Sequence, residues 1–511
     1  MGEAKLKVNR SVKAITQAIG VETSGGRIQV RWDADAATTP FGQMVFFIEF
    51  LNLTGLLERW ISSCPLDYQG AHSSKKQDIL GTWLLSILSG HKRYAHITTI
   101  RADGVTPELL GMQHVVSEDT VRRALSAIEE TPGVGWLQSH IDASVLPLLG
   151  APWILDVDAT IKQLYGKQQE GAVMGYNPKK PGRPSQTYHT YQMAGLRLIL
   201  GVDVTAGNES NASHSLPGLL RCIDNLPKDK RPKLIRGDCG FGTDPVMQGL
   251  EQRGIPYLFK LRLSKNVKRY IQKVFWTEGW AEAGQGWEGR EGELALTGWE
   301  HARRVIVLRR ALIGEVLLAD NAGQMALGFV ESDIAAKRYE YAVLVTDLNY
   351  DVPAIAQLYR DRADSENTFD ELKNQWGWGG FATRDLKRCR LSAMGVAMAY
   401  NWWSLFVRLA NPSARMEAIT SRPLLMSGVG RKTSHAGQQY LTISPLHGKA
   451  SQAIALLTKV SLLLKEWKCI AEQSPLKSVW FLVCEHIAKF VTGFNWLSPP
   501  ESGVRLAVNS G

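Results

Sequence analysis

Two short apolar runs that each end in a carboxylate, Trp153-Ile154-Leu155-Asp156-Val157-Asp158 and Lys233-Leu234-Ile235-Arg236-Gly237-Asp238, constrain the fold of this chain more than any other feature. A run of that length bounded by polar residues reads as a buried strand, and Tyr188 to Ala194, Leu196 to Val204 and Ile255 to Leu261 read as three more. Helical periodicity at His214 to Leu226 and Asp244 to Arg253 falls between them. Strands first, then strand alternating with helix, predict an α/β domain built on a mixed sheet flanked by helices. In open sheets of this kind ligands gather at the carboxyl ends of strands, where Asp158 and Asp238 stand. Asp156 shares a strand face with Asp158, so periodicity alone leaves both open.

A third acid comes from Ala354 to Trp376, which reads as one helix entered at Pro353. At about 100° per residue, Tyr359, Arg362, Glu366 and Lys373 share a stripe roughly 60° wide. Leu358, Phe369 and Leu372 form the adjacent apolar stripe, while Asp361, Asp364 and Glu371 fall on the opposite side, toward water. Asp370 lies one turn beyond Glu366, where a second supporting acid would sit. An ordinary amphipathic helix with an Arg362 and Glu366 pair at i and i+4 accounts for the same pattern and is worth a few tenths of a kcal/mol. Were the three acids to converge, oxygen-only ligation would suit Mg²⁺ or Mn²⁺ rather than Zn²⁺. Two such ions serve in-line phosphoryl transfer.

The net charge of +10 and pI near 9.2 favour a polyanionic partner, most simply nucleic acid. The cations are grouped. The loop from Gly166 to Ser185 holds Lys167, Lys179, Lys180 and Arg183 against Glu170, and Lys260 to Arg269 holds five cations, Lys265 and Arg269 among them, and no acid. Ser117 is a helix N-cap with Glu118 and Asp119 behind it. It follows Pro107 to Met112 at helix-turn-helix spacing and would present Arg122 and Arg123 to phosphate or base edges. Six scattered cysteines lack Cys-x-x-Cys spacing, which argues against zinc and a disulfide framework and for a reducing cytoplasm. The N-terminus lacks the apolar run of a secretory signal. Leu391 to Val407 reads as a buried helix rather than a membrane span.

At 511 residues the chain exceeds one core. Residues 1–150 read as a mainly helical DNA-binding region, opened by a basic arm to about residue 35. Residues 151–262 and 351–410 read as the catalytic α/β domain. Between them, 263–350 reads as an all-β insertion with strands at Arg303 to Leu308, Glu315 to Ala319, Met325 to Val330 and Tyr341 to Val345. Trp276, Trp280, Trp287 and Trp299 lie in it. Residues 411–511 read as helical, with a basic loop around Arg422 to Lys432.

The spacing Tyr359, two residues, Arg362, three residues, Glu366, six residues, Lys373 resembles the Tyr-Arg-Glu-Lys signature of bacterial insertion-sequence DDE transposases. Asp158-Ala159-Thr160 and Asp238-Cys239-Gly240-Phe241 are similar to that family's first and second Asp motifs, in the same order, and the Thr160 match favours Asp158 over Asp156. The resemblance spans roughly residues 150 to 410. It implies an RNase H-like catalytic domain and Asp158, Asp238 and Glu366 as catalytic ligands of two Mg²⁺ or Mn²⁺ ions. It further implies cut-and-paste transposition through a DNA hairpin at the terminal inverted repeats, and a homodimer on DNA. Tyr359, Arg362 and Lys373 would grip the transposon end, one of the four tryptophans would stack a flipped base, and 411–511 would serve dimerisation or end contact. The other readings are a catalytically inactive or domesticated DNA-binding protein and a structure-selective nuclease of the same fold. A two-carboxylate glycosidase explains neither the basic charge nor the cations on the acid helix.

Overall fold

A computed structural model describes residues 18–33, 35–67, 73–150, 152–166, 168–175, 177, 180–209, 211–312, 339–381, 383–412, 414–474 and 477–492. The expected strands at 315–319 and 325–330, residues 1–17 of the basic arm, and Lys167 and Lys179 lie outside those residues.

The large sheet contains β1 (Ile154–Gln163), β2 (Val173–Met174), β3 (Pro184–Met193), β4 (Leu198–Ala206), β5 (Leu234–Gly237), β6 (Tyr257–Lys260), β7 (Ala281–Gly284), β8 (Trp287–Leu294), β9 (Arg303–Ala311) and β10 (Tyr339–Thr346). Neighbours run β7-β8-β9-β10-β6-β5-β1-β3-β2, with β4 also on β3. β3 runs antiparallel to both β1 and β4, and β5 and β6 run parallel to β1. Helix Asp244–Glu251 makes the crossover that the parallel pair β5 and β6 requires. Three antiparallel strands beside two parallel ones, covered by helices, form an RNase H-like arrangement. β1 and β5 read as near-continuous apolar runs because both of their faces are covered.

The insertion departs from the all-β expectation in two ways. Lys265–Phe275 is a helix, capped by the Ser264 hydroxyl, which accepts from the Val267 N–H. Val267, Ile271 and Val274 bury one stripe and leave Lys265 and Arg269 exposed, a 4-then-3 spacing that the run of cations obscures in the sequence. In addition, the described strands of the insertion continue the catalytic sheet: β10 pairs antiparallel with β6. The C-terminal region also departs from expectation. Arg422 lies in helix Ala418–Leu425, and strands Gly430–His435 and Gln438–Ile443 follow. Ala436 and Gly437 turn them with φ of 49° and 78°, the two positive values that a two-residue hairpin turn needs.

Helix Leu386–Ala410 is buried along most of its length, as expected for Leu391 to Val407. Its Trp402 joins Trp60, Trp83 and Trp136 of the preceding helices in a cluster with ring centroids 5.7 to 6.5 Å apart. The N-terminal helices and the catalytic sheet therefore share one hydrophobic core. Asn401, fully buried, accepts from the Ile199 N–H and donates to its carbonyl, both at 2.8 Å, so the helix is bonded directly to β4. Among the described residues no helix is long and apolar enough to cross a membrane.

On the face of the sheet that carries His189, this side chain is 2% exposed and stacks on His214 at 3.9 Å. Burial, and then the neighbouring His214, push its pKa down to about 3, against the pull of Asp203. A histidine held neutral in the fold contributes stability above its unfolded value near 6.5, and that contribution is lost as pH falls below it. His189→Gln is expected to flatten the acid loss: between pH 6.5 and 5 the parent loses about 1.4 kcal/mol per pH unit relative to the variant. Thermal melts across that range measure the difference.

Candidate active site

Asp158 lies in the middle of β1, opposite Thr190 of β3. Its Oδ1 accepts from the Ala159 N–H at 2.7 Å, and its Oδ2 accepts from Arg362 at 2.8 Å. Asp156, on the same strand face, is 2% exposed and fully engaged: Arg236, its register partner on β5, donates to both of its oxygens at 2.7 and 2.8 Å. That pairing removes Asp156 from competition for a ligand. Asp238 stands directly after β5, and its Oδ1 accepts from the Gly240 N–H at 2.9 Å.

The third acid sits on a helix that the structure interrupts. Val352–Arg360 and Ala363–Gln375 are separate helices, and the Arg362 N–H bonds the Tyr359 carbonyl rather than that of Leu358. The tighter turn moves Arg362 off the surface stripe. It is 4% exposed and lies between Asp158 and Glu366, reaching the latter at 3.4 Å. Glu366 itself is largely exposed. Glu371 does not face water as expected; it is buried, pairs with Arg415 and accepts from the Ala418 N–H at 2.9 Å. Asp364 pairs with Arg197. Asp370 is exposed, and its Oδ1 accepts from the Asn374 side-chain amide at 2.7 Å.

These groups share one electrostatic field. Burial pushes the Asp158 carboxyl up to about 6; Arg362 opposes this, while the like charges of Asp238 and Glu366 add to it. Burial also pushes the Tyr359 hydroxyl up to about 12, with Arg362 opposing and Asp238 and Glu366 contributing. Burial works against the charge of Arg362, yet Asp158 and its neighbours hold its pKa above the usual guanidinium range. Asp158, Asp238, Glu366, Tyr359 and Arg362 thus form one coupled cluster.

Among the described residues no three His, Cys, Asp or Glu side chains stand close enough to ligate a single ion. Three carboxylates that share two ions do not require such a group. The acids fit hard divalent cations on two counts: the donors are all carboxylate oxygens, and the like-charge pressure on Asp158 is what a cation relieves. Asp158, Asp238 and Glu366 are the residues that would hold Mg²⁺ or Mn²⁺.

The other expected contacts are spread over the surface. Arg122 and Arg123 are exposed on helix Glu118–Ala127, which Ser117 caps as expected; both turn back on Asp119, Arg122 to its carboxylate and Arg123 to its carbonyl. The preceding helix, Thr106–Leu109, is a single turn. Lys180 and Arg183 flank the ring of Tyr165 at 5.9 and 4.7 Å. Tyr165 is 78% exposed and was not singled out in the sequence; an aromatic just ahead of the basic loop was the available signal. Lys373 is half-buried near the end of its helix. Of the four tryptophans, Trp280, Trp287 and Trp299 are stacked by Arg309, Arg310 and Arg303, at 3.8, 4.8 and 5.3 Å. Trp276 is 68% exposed, its ring set edge-on against Phe275. Arg236 and Arg197 also escaped the sequence reading, although a charged residue inside an apolar strand run marks the first.

No curated protein matches the sequence. A solved piggyBac transposase synaptic complex with hairpin DNA is similar at 10% identity, covering 88% of this chain and 85% of that one with a TM-score of 0.34, a likeness too slight to bear on the activity of this chain. Residues 149–402, just under half of the chain, match the family model described as "Transposase DDE domain" and include Asp158, Asp238 and Glu366. This chain carries a transposase DDE domain.

Proposed function

We propose that the protein is a DNA transposase of a bacterial insertion sequence, acting as a homodimer on the terminal inverted repeats of its own element. Its chemistry is metal-dependent cleavage and transfer of DNA strands. The observation that carries this reading is that Arg362 bonds both Asp158 and Glu366, with Asp238 following the strand paired beside that of Asp158, inside a domain that matches a transposase family. When bound, two divalent ions supply an activated water or 3′-hydroxyl and stabilise the leaving oxygen. The residues of the chain hold the ions, exclude water behind Asp158 and keep Tyr359 protonated beside the strand. The exposed cations Lys180, Lys265, Arg269, Arg122 and Arg123, with Arg183, bind backbone phosphate, and Lys373 holds phosphate near the cut. Lys179 belongs to the same basic loop by sequence.

A donor plasmid carrying the element's inverted repeats tests this reading: incubation with the protein and Mg²⁺ is expected to excise the element. Nicking of branched DNA without regard to the repeats would instead favour the structure-selective nuclease. Lys373→Ala is expected to lower the salt slope of end binding by about one, and an unchanged slope would remove Lys373 from phosphate. Trp276 is the tryptophan proposed to stack a base. Trp276→Ala is expected to weaken binding of an unpaired or hairpin end by about 1 to 3 kcal/mol with little effect on blunt duplex. Equal effects on both DNAs would argue against stacking.

A further inference from the structure

Two residues before each catalytic aspartate, Asp156 and Arg236 face each other in register across β1 and β5. They are 2% and 1% exposed, and the guanidinium grips both carboxylate oxygens. Its remaining terminal nitrogen donates to the Leu358 carbonyl at 2.5 Å. In an unbroken helix that carbonyl would accept from the Arg362 N–H. Here the Arg362 N–H turns to the Tyr359 carbonyl at 3.1 Å, and Arg236 takes the acceptor left over. The tightened turn is the one that carries Arg362 inward to Asp158. A single buried guanidinium thus bonds the Asp158 strand, extends from the Asp238 strand and caps the helix that precedes Glu366.

We propose that Arg236, with Asp156, is the positioning residue of this site: it fixes the break between the two helices and so sets Asp158, Asp238 and Glu366 in reach of shared cations. The proposal rests on the reading of those three acids as a metal-dependent cleavage site. Stability alone does not call for a charged pair at this place, since a buried ion pair is often replaced by apolar residues of similar volume without loss. An apolar pair would fill the space but leave the Leu358 carbonyl without its donor.

The test uses the full chain with Asp156→Leu and Arg236→Met combined, and separately Arg236→Lys, which keeps the charge but lacks the fork. Four readouts are compared with the parent: thermal melting, binding of an inverted-repeat duplex, Mn²⁺ binding followed by electron paramagnetic resonance of the free ion, and single-turnover cleavage. The double variant is expected to melt cooperatively and bind the duplex as the parent does. Its Mn²⁺ binding is expected to be roughly tenfold weaker, the scale for losing a group that orients metal ligands. Its cleavage at saturating Mn²⁺ is expected to be about 100-fold slower, the scale for a misplacement near 1 Å. A folded double variant with the parent's Mn²⁺ affinity and cleavage rate would overturn the proposal. If the double variant does not fold, Arg236→Lys decides on the same readouts. Asp158→Asn separates the two levels of inference: unchanged Mn²⁺ binding and cleavage in that variant would sink the reading of the site, and the positioning role with it.

Discussion

Asp158→Asn, Asp238→Asn and Glu366→Gln are each expected to abolish strand cleavage in Mg²⁺, by about 10³-fold or more, the scale for losing a preorganised electrostatic group. End binding should persist within a few-fold, because phosphate is held by the surface cations and not by the acids. Gel shifts and single-turnover cleavage on one inverted-repeat duplex separate the two effects. Any of the three variants that still cleaves at the parent's rate loses its place in the site. Asp158→Asn carries a second expectation. Its carboxyl is raised to about 6 chiefly by burial, despite Arg362, so ionised Asp158 is a cost to the fold. The stability this group contributes is present below about pH 4 and is lost as pH rises through about 6. At pH 7 the uncharged Asn is therefore expected to melt at or above the parent temperature, the trade of stability for function that active sites commonly show.

Arg362→Ala is expected to cut cleavage by about 100-fold or more, because Arg362 is the side chain that bonds Asp158 and also reaches Glu366. Without it the Asp158 carboxyl rises further, since the guanidinium is the main influence that holds it down. The variant is also expected to melt below the parent, in contrast to Asp158→Asn, because two carboxylates lose their counter-charge. If Arg362 also meets DNA phosphate, the salt slope of end binding falls by about one. An unchanged slope would confine it to the acids. Arg362→Lys should recover only part of the activity, since an ammonium restores the charge but not the two-pronged reach to Asp158 and Glu366.

The acids drew attention in the sequence through local rules: Asp238 follows a strand directly, and Glu366 keeps a fixed spacing from Tyr359 and Arg362. Asp158, expected at a strand end, instead lies in the middle of β1, because pairing with β3 carries the strand on through the polar residues to Gln163. The mixed sheet followed from the order of apolar runs, and the buried helix at Leu391 to Val407 from its unbroken apolar composition. The helix Lys265–Phe275 was missed because its buried stripe is only Val267, Ile271 and Val274 within a run of cations. Glu371 was misread because helical phase assigns a face but not what packs there, and Arg415 with the N-terminus of helix Ala418–Leu425 covers it. Asp156 and Asp158 were inseparable by periodicity, and the Thr160 match of the resemblance favoured Asp158; the physical reason lies in Arg236, eighty residues away, which takes both oxygens of Asp156.

By itself the sequence determined the chemistry on offer: three carboxylates, a tyrosine, an arginine and a lysine at set spacings, in a basic chain whose apolar runs lead into acids. Those are properties of neighbours along the chain, where spacing and hydropathy act directly. Only the tertiary structure decided which acid stays available, where the Glu366 helix breaks, and that Arg362 turns inward rather than outward. Each of those outcomes depends on a hydrogen bond or ion pair between residues far apart in sequence, Arg236 with Leu358 and Arg362 with Asp158 above all. In a buried site such partners outweigh the phase of a helix, because an unpaired polar group there costs more than a local bend.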